Sequence, residues 1–189
     1  METPLPSAAV TDTTASAAPT LDQHKLEMYM HRLGMEQNLV MGMLTGLLAA
    51  VAGAAAWAVV TVATGYQIGY MAVVIGFAVG YAMRAAGHGI DKVFGVMGAL
   101  LALFGCVLGN FLSTCGFVAQ EFEVGYLEVL QTLDYQYIPE LMSETFSPID
   151  LLFYGIALYQ GYKMSFRQIT KEELLANAAT TPATINYTL

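Results

Sequence analysis

Charge is what this chain has least of. Only 12% of its 189 residues are Asp, Glu, Lys or Arg, while 56% are hydrophobic. A soluble domain carries roughly twice that charge. Seven residues are basic: Lys25, Arg32, Arg84, Lys92, Lys163, Arg167 and Lys171. With a net charge of −8 and no basic patch to neutralise phosphates, nucleic acid is disfavoured as a partner. Cysteine is equally sparse. Cys106 and Cys115 are nine residues apart, which on one helix means opposite faces and about 13 Å along the axis. They cannot bridge within the chain. There is no CxxC, and His24, His31 and His88 are dispersed, so no metal or cofactor is expected. The two thiols read as small apolar packing residues.

The first 20 residues contain no Lys or Arg, whereas a secretory signal needs a basic start before its apolar run. They read as a disordered Ala/Thr/Ser/Pro tail, with the first hydrophobic stretch serving as the insertion signal. Nothing in the chain assembles a nucleophile, a base and an oxyanion site, and no phosphate loop or paired intramembrane carboxylate occurs. The expectation is a protein that is not an enzyme.

What is present is apolar length. Four hydrophobic stretches run over 39–62, 66–83, 94–118 and 149–166. A bilayer core of about 30 Å needs about 20 helical residues. The first and third stretches span with tilt. The second and fourth are short, and Lys163 and Arg167 near the end of the fourth can snorkel to extend it. Threaded four times from the cytoplasm, the chain leaves every Lys and Arg in or beside the N-terminal tail, the middle loop or the C-terminal tail. Loops 63–65 and 119–148 carry none. Basic residues near membrane ends orient a polytopic protein. The predicted fold is therefore all-α: a four-helix transmembrane bundle in the bacterial inner membrane, with both termini cytoplasmic. Its parts are a tail over 1–20, a juxtamembrane helix over 21–37 leading to Asn38 at the membrane entry, a four-span domain over 38–168 and a cytoplasmic tail over 169–189.

Small residues recur one turn apart: Gly42, Gly46, Ala50 and Ala54, then Gly76 and Gly80, then Gly98 and Ala102, then Gly105 and Gly109. Such spacing lets helix backbones approach, and packing is the main force between helices in lipid. These glycines and Asn110 are the candidate helix-packing residues. Asn110, with Ser113 and Thr114, is the most prominent intramembrane polar group; the alternatives are a ligand site or an interhelical hydrogen bond. Arg84, His88 and Lys92, beside Asp91, cluster at the middle turn and are the candidate lipid-headgroup residues; positive-inside anchoring explains the same cations. The loop over 119–148 holds most of seven acids, from Glu121 to Asp150, between Phe122, Leu127, Leu130 and Leu133. It predicts two amphipathic helices, over 121–133 and 139–145, on the outer interface. Ser147 or Asp150 then caps the last helix, with Pro148 in its first turn.

The phrases EQNLVMGMLTGLLAA (36–50), GYQIGYMAVVIGFAVGYAMRAAGHGIDKVFGVMGALLALFGCVLGN (65–110) and FSPIDLLFYGIALYQGYKMSFR (146–167) resemble a family of small bacterial four-span inner-membrane proteins of unknown function. Some members carry a zinc ribbon before the first span; this chain has no cysteine there and resembles the short form. The resemblance implies the four-span fold and the inner-membrane setting, and brings no catalytic residue. The leading expectation is a non-enzymatic structural or interaction subunit whose partners are the lipid bilayer, its own copies or other membrane proteins. The alternative is a small oligomeric channel or transporter for an ion or small solute.

Overall fold

The computed structural model describes residues 21–132, 136, 140, 143 and 147–179. Among them lie seven helices and no strand: α1 (Gln23–Met35), α2 (Leu39–Thr64), α3 (Tyr70–Gly87), α4 (Lys92–Glu121), α5 (Tyr126–Thr132), α6 (Pro148–Met164) and α7 (Lys171–Ala178). Three of these, α2, α3 and α4, are long and apolar enough to cross a membrane. With 17 residues, α6 rises about 25 Å.

The helix ends follow from their caps. Asn38 adopts extended backbone and its side chain accepts from Met41 N–H, so α1 and α2 are separate helices. Gly65 ends α2 in the left-handed region (φ 71°) and donates its N–H to Thr61 O. The helix of the second hydrophobic stretch, α3, then starts at Tyr70, not at 66, and runs four residues further than that stretch, to Gly87. His88 closes it at φ 48°, with its N–H on Arg84 O. The middle turn is correspondingly shorter than the glycine-rich segment suggested. Glu121 ends α4 and does not begin the next helix; α5 starts only at Tyr126. The expected helix over 139–145 lies largely outside the described residues. Pro148 opens α6, where Asp150 Oδ2 accepts from Ser147 N–H at 2.9 Å.

The chain divides into two compact units. In the larger, His31–Gln168, α2 packs on α3 and α4, α6 packs on α3 and α4, and α3 packs on α4. The backbones of α2 and α6 do not approach each other among the described residues, so α3 and α4 occupy the middle. Neighbour pairs give the directions. Gly42 lies beside Gly87 and Gly53 beside Ile75, so α2 and α3 are antiparallel. Gly105 meets Ala50 and Gly116 meets Val62, so α2 and α4 are parallel. Gly76 meets Ala157 and Gly80 meets Gly161 and Met164, so α3 and α6 are parallel. The core holds few large side chains: Ala50, Trp57, Ala72, Ile75, Val79, Ala102, Cys106, Tyr154 and Ala157. Large apolar residues face outward instead, among them Val40, Leu48, Val59, Val74, Phe77, Leu100, Phe104, Leu151 and Leu152. Water would oppose that arrangement; a hydrocarbon solvent does not.

The smaller unit comprises the two chain ends, of which 21–30 and 169–179 are described. Leu21 and Ala179 form an antiparallel bridge, and Asp22 N–H donates to Ala178 O at 2.8 Å. Lys25 Nζ donates to Ala179 O, and the Tyr29 hydroxyl donates to Glu173 Oε1 at 2.7 Å. Thr170 caps α7, its hydroxyl accepting from Glu173 N–H. Hydrophobic periodicity gave no sign of this pairing, because it is carried by backbone groups and polar tips.

Candidate functional site

The polar interior lies at the end of the bundle nearest α5. Gly109 on α4 admits the Trp57 ring of α2, which a Cβ there would meet at 2.8 Å. Thr61 stands one turn along α2, and Asn110 follows Gly109. All three polar residues are buried: Trp57 and Thr61 at 0% exposure and Asn110 at 1%. Asn110 Oδ1 accepts from Gln67 Nε2 at 2.9 Å, so the exposed α2–α3 turn reaches down to the middle of α4. The Asn110 amide also faces the Tyr154 phenol on α6. Ser113 and Thr114 are satisfied within α4, donating to Gly109 O and Asn110 O. Asp150 is buried and held by the first turn of α6.

Of the residues singled out in the sequence, Asn110 thus links the α2–α3 turn to α4 and stands beside α6. Trp57, Thr61, Gln67 and Tyr154 were missed. A signal existed for two of them: Trp57 and Thr61 continue the small-residue face Gly42, Gly46, Ala50 and Ala54. The glycines lie at helix contacts. Gly42 meets Gly87 and Phe94, Gly46 meets Met83, Gly76 meets the Ala157 backbone, Gly80 meets α6, Gly98 meets Gly161 and Ser165, and Gly105 meets Ile75 and Ala50. Cys106 and Cys115 are free and buried on different faces. Cys106 faces the α3 and α6 side, and Cys115 packs with Ala119 and Val129 of α5.

The α5 segment folds back along α4. The Tyr126 hydroxyl donates to Leu112 O at 3.1 Å. Burial raises the Tyr126 phenol above its ordinary pKa, and the neighbouring Cys115 adds to the shift. Tyr126 also walls an apolar groove of about 470 Å3, lined by Ala55, Ala58, Val59, Val62, Ala63 and Leu112.

The opposite end is a clamp. Gln37 Oε1 accepts from Ile90 N–H at 2.8 Å and Asp91 N–H at 3.0 Å, while its Nε2 donates to Asp91 Oδ2. Asn38 N–H donates to Gly87 O, and Arg167 N–H to Gly89 O. The Arg167 guanidinium also meets Glu36 at 3.0 Å. Arg84, His88 and Lys92 all lie at this end. Arg84 sits over the Tyr81 ring at 5.3 Å, and His88 and Lys92 are exposed. Among the described residues no group of three His, Cys, Asp or Glu is placed to hold a metal. No family model matches the chain, and no curated protein or solved structure is similar to it.

Proposed function

We propose that this chain is a non-enzymatic structural or interaction subunit of the bacterial inner membrane, crossing it four times with both termini in the cytoplasm. The observation that carries the reading is the inverted distribution of side-chain size. Glycine and alanine fill the interior, where helix backbones touch, and large apolar residues cover the outside. A bundle of this kind uses its interior for cohesion and offers its outer surface to lipid and to neighbouring helices.

Two further observations support the crossing number and the orientation. The pairing of Leu21 with Ala179 and of Asp22 with Ala178 favours both flanking segments lying on one side, and hence an even number of crossings. The three long apolar helices reach that number when α6 makes the fourth, with Lys163 above the Tyr159 ring at its end. All seven basic residues then lie on the cytoplasmic side. Reporter fusions test the topology: a periplasmic reporter active at Leu133 and a cytoplasmic one active at His88 agree with it, and a silent periplasmic reporter at Leu133 refutes it. For the subunit reading, cysteines at the outward positions Leu48 and Leu100 should crosslink copies or membrane partners in native membranes. Purified protein that stays uncrosslinked there and carries solute flux in liposomes would overturn that reading in favour of a transporter.

A further inference from the structure

One face of α1 repeats a single pairing of side chains. At about 100° per residue, His24, Met28, His31 and Met35 fall within roughly 60° of one another around the helix. Tyr29 and Leu33, the buried residues of α1, lie on the opposite side. All four stripe residues are exposed, Met28 at 58% and Met35 at 75%. Burial therefore does not account for methionine on this face. Among the described residues neither imidazole has a hydrogen-bond or ion-pair partner, so both are open to coordinate.

Helix spacing sets the geometry. His24 with Met28, and His31 with Met35, are i, i+4 pairs, and the Cβ atoms of such pairs stand about 5–6 Å apart. Bonds of about 2.0–2.3 Å to nitrogen and sulfur put two donors on one ion roughly 4–4.5 Å apart. Each pair can close on an ion by side-chain rotation alone, with α1 left helical. Donor chemistry then selects the ion. Thioether sulfur is a soft ligand that favours copper(I), and imidazole suits copper as well. A hard divalent ion asks for carboxylates. Among the described residues no three His, Cys, Asp or Glu gather to hold one. Two neutral donors also leave the charge of the ion uncompensated, which favours a monovalent ion over a divalent one. We infer that α1 carries two binding sites for a soft monovalent cation of the copper(I) class, one on His24 and Met28 and the other on His31 and Met35. The histidines have no metal spacing to each other; the helix pairs each with a thioether instead. This inference goes beyond the subunit reading and depends neither on it nor on membrane orientation.

The test uses the purified full chain in mild detergent and chloride-free buffer. Silver(I) is the probe, because it shares the soft monovalent character of copper(I) and does not oxidise in air. Calorimetric titration compares the wild type with Met28→Leu/Met35→Leu. Leucine keeps apolar bulk and helix propensity, so a role in packing or lipid contact is untouched. Cys106 and Cys115 are buried and common to both chains, so any uptake by them cancels in the difference. The wild type should bind about two more silver ions than the double variant, and each single Met→Leu variant about one fewer than the wild type. His24→Gln and His31→Gln should each remove one ion in the same way. Methyl NMR places the ion: the Met28 and Met35 methyl signals should shift with silver, while that of exposed Met41, which has no histidine one turn away, stays. Equal silver uptake by the wild type and Met28→Leu/Met35→Leu, or full uptake without the two histidines, overturns the inference.

Discussion

Replacing Gly98 by alanine should weaken the bundle, although alanine is the better helix former. In a helix interior the exchange by itself gains about 0.5–1 kcal/mol. Position 98 turns the sign. An added Cβ would meet the Ser165 hydroxyl and lie 2.5 Å from the Gly161 carbonyl oxygen. Ser165 Oγ is held at 2.6 Å by Gly161 O, so its escape breaks a hydrogen bond. The carbonyl belongs to α6 backbone and moves only if the helix moves. Relief is therefore expensive, towards the upper part of the ~1–3 kcal/mol typical of overpacking. The net loss is about 1–2 kcal/mol, or roughly 2–8 °C in melting temperature for a chain of this size. Gly155→Ala is the control. It is exposed on α6, and nothing lies within 4 Å of its would-be Cβ, so it keeps the helix gain and should melt slightly higher. Thermal unfolding in detergent, followed by Trp57 emission, reads both variants. If Gly98→Ala melts as high as Gly155→Ala, α4 and α6 are not in backbone contact and the packing argument is wrong.

Gln37→Leu removes the acceptor of Ile90 and Asp91 N–H and the donor to Asp91, and should cost about 1–2 kcal/mol in thermal unfolding, since water reaches the exposed Asp91. Glu36→Gln weakens an ion pair whose carboxylate is 51% exposed, so its effect should stay within about 1 kcal/mol and shrink further in high salt. Tyr126→Phe removes the bond to the Leu112 carbonyl and should speed hydrogen exchange across α5 by about fivefold while the melting of the bundle hardly moves, the local bond being worth about 1 kcal/mol. Equal exchange in wild type and variant would mean that Tyr126 does not pin α5.

Length and hydropathy alone determined that the chain is helical and that its long elements suit a membrane, because a run of apolar residues near the bilayer thickness has few other solutions. The spacing of Gly42, Gly46, Gly76, Gly80, Gly98, Gly105 and Gly109 marked the contact faces for the same reason: only small residues permit backbone approach. Asn110 stood out because a polar group inside an apolar run is conspicuous. Helix ends were less legible. The shift of α3 to Tyr70–Gly87 depends on left-handed caps at Gly65 and His88, which hydropathy does not register. Tertiary structure alone decided which helices touch, with α3 and α4 central and α2 and α6 apart. It also paired Leu21 with Ala179, and set Gln67 on Asn110 and Trp57 over Gly109. These are long-range meetings of groups far apart in the chain. A one-dimensional pattern records which face of a helix is small or polar, but the partner of that face is chosen by how four helices share a limited interior.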